Sequence, residues 1–95
     1  MQLQLFDKNY NFTFLQEQLK KLIDKGMEEG RSENVKKLYQ SANLRVKNYC
    51  KSSSEKKDDV RFRFAMTIKK HFKNKNLTSK EIYRMSVEEV FLRKK

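Results

Sequence analysis

The sequence predicts an all-α fold, a small bundle of four to five helices behind an extended N-terminal arm. Three observations predict it. Proline is absent and only two glycines, Gly26 and Gly30, occur in 95 residues, too few for the positive-φ turns an all-β chain needs. Apolar residues recur at steps of three and four through most of the chain, the period of a helix that buries one face. Hydrophobic residues make up 37% and aromatic residues 12%. That is enough to close one core, and more than a disordered tail carries.

The first helix is expected at about residues 13–28. Thr13 and Gln16 stand at capping-box spacing, where hydroxyl and amide each satisfy an end N–H. Phe14, Leu15, Leu19, Leu22, Ile23 and Met27 share a face, and Gly26 and Gly30 offer the stop. Ser32 opens the second helix, whose stripe runs Val35, Leu38, Tyr39, Ala42, Val46, Tyr49 and Cys50 before the polar loop KSSSEKK. Asp58 or Asp59 is placed to cap the third. There Val60, Phe64, Ile68 and Phe72 follow at intervals of four, and Phe62, Ala65 and Met66 widen the stripe. Two further capping boxes, Thr78 with Glu81 and Ser86 with Glu89, predict two short helices or one helix kinked at Ser86. Residues 1–12 are then the arm, and residues 13–95 a single helical domain.

Charge is uneven. The net charge is +11, yet residues 1–34 carry five basic and six acidic residues while residues 35–95 carry 18 and six. The whole excess lies in the last two-thirds, which points to a polyanion partner. Lys36, Lys37, Arg45 and Lys47 on the second helix, and Arg61, Arg63, Lys69, Lys70, Lys73 and Lys75 on and after the third, are the candidate nucleic-acid contacts. Interleaved with an apolar stripe, such residues fit phosphates along a backbone, giving affinity and salt dependence with little sequence readout. Phe62 belongs to the core on this pattern, and becomes a base-stacking candidate only if exposed.

Enzyme chemistry is not expected. One His and one Cys make no metal-ligand constellation, and two glycines make no phosphate loop. His71 stands among lysines, and no orienting group is paired with it and Cys50. No cofactor is expected. Leu77–Val90 could be read as a helix-turn-helix, but its turn is too short and Glu88 and Glu89 would head the recognition helix and repel phosphate. No apolar run is long enough for a bilayer or a signal peptide. A membrane-surface helix is disfavoured because the stripes are needed inside the bundle. A cytoplasmic location is the expectation.

Helical period does not account for the start of the chain. Gln2-Leu3-Gln4-Leu5-Phe6 alternates at two, and a lone strand in an all-α protein has no partner edge. Gln2, Leu3, Leu5 and Phe6 resemble the QLxLF peptide by which bacterial polymerases, repair proteins and mobile-element proteins dock on the DNA sliding clamp. The resemblance implies that Leu5 and Phe6 enter an apolar pocket, Leu3 covers its rim and the Gln2 amide satisfies polar groups beyond it. It also implies a clamp-tethered accessory or modulator of replication, of phage or mobile-element type, with the basic helices on DNA. Two other readings stay open: a helical RNA- or DNA-binding subunit of a larger nucleoprotein, and a small inhibitor whose basic face binds an acidic host protein. An N-terminal arm laid across a groove of the bundle is the alternative for residues 2–6 themselves.

Overall fold

The chain is described by a computed structural model for residues 10–31 and 34–92. Within them it forms four α-helices: α1 (Tyr10–Glu28), α2 (Val35–Ser52), α3 (Lys57–Phe72) and α4 (Ser79–Val87), the last continuing into a π-helical turn, Glu88–Leu92. The expectation of an all-α bundle holds, with four α-helices among the described residues rather than five.

The first helix begins earlier than its capping spacing indicates. It is already helical at Tyr10, so Thr13 lies inside it and caps nothing, and residues 10–12, expected to belong to the arm, are part of α1. Tertiary contacts hold this extra turn. The Asn11 Nδ2 donates to the Asp58 carbonyl at 3.2 Å. The Arg61 guanidinium lies 5.3 Å from the Phe12 ring centroid, and the Phe14 ring is 5.9 Å from that of Phe62.

Leu15, Leu19, Leu22 and Ile23 are buried as the period requires, whereas Met27 is 61% exposed. At 3.6 residues per turn, residue 26 returns to the azimuth of Leu15 while residue 27 lies about 120° away. Gly26, buried within the helix, therefore continues the inner face instead of ending it. The stop is Gly30, at φ +83°. The Arg31 N–H donates to the Gly26 carbonyl (2.9 Å) and the Gly30 N–H to the Met27 carbonyl (3.0 Å), a Schellman closure that requires a left-handed residue.

Asn34 caps α2, its Oδ1 accepting from the Lys37 N–H at 3.0 Å, while Ser32, expected to open that helix, lies outside the described residues. Val35, in the first turn, is exposed, and Ala42 and Val46 carry the burial. The third helix starts at Lys57, so Asp58 and Asp59 are first-turn residues and not caps. There they favour the positive end of the helix dipole, and Asp58 pairs with Arg61 at 3.0 Å.

The capping box of α4 forms as expected. The Glu81 N–H donates to Thr78 Oγ1 (3.2 Å) and the Thr78 N–H to Glu81 Oε1 (2.9 Å). Glu29, at the end of α1, accepts from the Ser79 N–H at 3.2 Å and from Ser79 Oγ at 3.0 Å. That tie joins the end of α1 to the start of α4.

The second expected box does not form. Ser86 is fully buried and its Oγ donates to the Ile82 carbonyl at 2.7 Å inside a continuous helix, while Glu89 turns to α3. Phe91, four residues past the buried Val87, lies on the same side of the helix, and its ring packs edge-on against Phe64 at 5.0 Å.

α1 packs most extensively on α3, with α4 against both. The shared core is Leu15, Leu19, Leu22, Ala42, Val46, Val60, Phe64, Ala65, Ile68, Ile82 and Val87. No helix among the described residues is long and apolar enough to cross a membrane.

Candidate nucleic-acid interface

α3 divides its residues sharply. Val60, Phe64, Ala65 and Ile68 are wholly buried. Phe62 and Met66, expected to widen that stripe, are instead 43% and 42% exposed. The reason is angular: each lies two residues, about 200°, beyond a core position. Phe62, Met66, Lys69 and Lys73 are spaced four, three and four apart, so they form one outward stripe. Met66, Thr67, Lys69, Lys70 and Lys73 line an open depression of about 420 Å³.

The cations differ in how they are held. Lys69 and Lys73 are exposed and have no ion-pair partner among the described residues. Lys70 Nζ lies 3.1 Å from Glu89 Oε1. The other oxygen of Glu89 meets His71 Nε2 at 2.6 Å. Arg63 pairs with Glu55, which also accepts the Tyr49 hydroxyl at 2.9 Å. Arg61 is half-buried between Asp58 and the Phe12 ring.

The basic residues gathered from sequence are thus not equivalent. Lys69, Lys70 and Lys73 converge on one depression, while Arg61 is turned to the start of α1. Lys75 is exposed in the turn after α3.

On α2, Lys36, Lys37, Arg45 and Lys47 are all exposed and without ion-pair partners among the described residues. Lys36, Gln40, Leu44, Lys47 and Lys51 form a second outward stripe, in which Leu44 is 55% exposed. Lys37 borders a depression with Asn34, Leu38 and Ser41. Arg45 borders another with Asn48, Tyr49, Ser52 and Phe91. Lys51 and Leu44 were not among the expected contacts, although a helical projection of the sequence places both beside Lys47.

Glu89 fixes the chain's last described turn to α3. Burial pushes its carboxyl up, but hydrogen bonds from Lys70 and His71, and their charge, outweigh this and hold it below the usual carboxylate range. A group depressed on folding contributes stability above its unfolded pKa and loses it as pH falls through the folded one. Urea midpoints of the wild type and Glu89→Gln should therefore be separated at neutral pH and converge below about pH 4.

Among the described residues no group of three or more His, Cys, Asp or Glu side chains is placed to hold a metal ion. Gln2, Leu3, Leu5 and Phe6 lie outside the described residues. No protein-family model, curated protein or solved structure matches this chain.

Proposed function

We propose that this protein is a non-enzymatic nucleic-acid-binding accessory of replication. It contacts the phosphate backbone through the outward faces of α3 and α2, and it docks on the bacterial sliding clamp through Gln2, Leu3, Leu5 and Phe6. The observation that carries the nucleic-acid half is the exposure of Lys69 and Lys73, free of ion pairs among the described residues, around one depression with Lys70. Ammonium groups held in water beside an open surface are available to phosphate, whereas those spent on internal pairs must first break them. The clamp half rests on the QLxLF resemblance alone.

Salt titration of binding, followed by fluorescence anisotropy on a labelled oligonucleotide, tests the first half. Affinity should fall steeply and linearly in log–log coordinates as salt rises. Lys69→Ala with Lys73→Ala should shallow the slope by about 1.5–2. The same change should leave stability within about 0.5 kcal/mol, as for ordinary surface positions. No binding at low salt would overturn the nucleic-acid reading.

A further inference from the structure

Within the nucleic-acid reading, on which this step rests, we infer that the outward stripe of α3 is a platform for single strands, with Phe62 stacking a base and Lys69 and Lys73 taking phosphates of the same strand. In a duplex the bases are stacked inside and only phosphates and groove edges face a protein. A basic helix built for duplex backbone therefore has no use for a large aromatic ring on its contact face. Here Phe62 and Met66 head that stripe, ahead of Lys69 and Lys73, with more than two-fifths of each in solvent. The Phe62 ring is braced by Phe14 at 5.9 Å, so it is held in place while part of it stays open.

Spacing and chemistry agree with this occupant. Along a helix rising 1.5 Å per residue, Lys69 stands about 10 Å and Lys73 about 16 Å from Phe62. At ~3.4 Å per stacked nucleotide that is a tract of roughly three to five nucleotides. The Met66 thioether, polarizable and adaptable, lies between ring and ammonium groups and can pack on a neighbouring base. The depression beside it is lined by Lys69, Lys70 and Lys73, which suits a phosphate. Charge selects the partner: Asp59 is exposed one turn before Phe62, but the patch runs on into Lys69 and Lys73 and residues 35–95 carry twelve more basic than acidic residues, which is complementary to a polyanion with exposed π faces.

The chain contains no tryptophan and four tyrosines, so Phe62→Trp in the full-length protein gives a single tryptophan at the platform, excited selectively at the red edge where tyrosine does not absorb. Titration with short oligothymidylate, short oligouridylate and a hairpin duplex of matched phosphate count reads stacking directly. Quenching by either single strand and little by the duplex is the expected result. Phe62→Leu, which keeps apolar contact with Phe14 but removes the π face, should weaken single-strand binding roughly 5- to 150-fold and leave duplex binding unchanged. Thermal unfolding of both variants checks that the bundle is intact, and if Phe62→Leu lowers Tm the tryptophan signal decides alone. Unquenched tryptophan with binding retained, or equal single-strand and duplex affinity that Phe62→Leu does not alter, overturns the platform and leaves the phosphate-binding function standing. Failure to bind any of the three overturns both.

Discussion

Phe64→Ala should destabilise the protein by about 3–5 kcal/mol, the usual range for a fully buried phenylalanine. Phe64 has no solvent exposure and sits where three helices and the π turn meet. Its ring lies 6.0 Å from Tyr83 on α4 and 5.0 Å edge-on from Phe91. Phe91 in turn packs 5.5 Å from Tyr49 on α2. Truncation leaves a cavity and also removes aromatic pairs worth about 0.5–1.5 kcal/mol each beyond their area. Domains of this size are stable by about 5–15 kcal/mol in total, so a large share of the margin goes. The midpoint of thermal unfolding, followed by far-UV circular dichroism, should fall by roughly 15–30 °C. A fall of only a few degrees would show that the aromatic chain from Tyr49 to Tyr83 does not anchor the π turn.

Leu5→Ala combined with Phe6→Ala should abolish binding to the bacterial sliding clamp while leaving the melting temperature nearly unchanged. In extended peptides docked by anchor residues, two large apolar side chains supply most of the affinity, and their loss is not compensated by neighbours. A peptide of the first dozen residues should compete for the same pocket with an affinity no tighter than about micromolar, near −8 kcal/mol. An arm packed on its own bundle predicts the reverse. Removing two buried side chains would then cost several kcal/mol of stability, and the wild type would ignore the clamp. One double mutant in two assays separates these readings.

The helix-turn-helix reading disfavoured from sequence has no counterpart in the structure. Ser86 is the point where a turn would have to fall, yet its hydroxyl bonds the Ile82 carbonyl and the helix runs on to Leu92. Capping-box spacing is only a local license. Thr78 and Glu81 use theirs because a chain emerging from a turn leaves end N–H groups unsatisfied. Ser86 and Glu89 do not, because burial of Ser86 and the pull of Lys70 and His71 on Glu89 satisfy each group elsewhere.

The sequence by itself determined the all-helical class, the core stripe Val60–Phe64–Ile68, the buried run Leu15–Leu19–Leu22–Ile23, the capping of α4 and the concentration of charge in the last two-thirds. These follow from periodicity, end chemistry and composition, which are local or additive and so survive without knowledge of neighbours. Only the tertiary structure decided which apolar residues stay outside. Phe62, Met66, Leu44 and Met27 are as hydrophobic as the core, and what exposes them is an azimuth measured against the helices that happen to flank each face. The same holds for the ion pairs. Whether a lysine is spent, as Lys70 on Glu89 is, or available, as Lys69 and Lys73 are, depends on carboxylates brought from 18 or 19 residues away, a distance over which sequence spacing carries no geometric information.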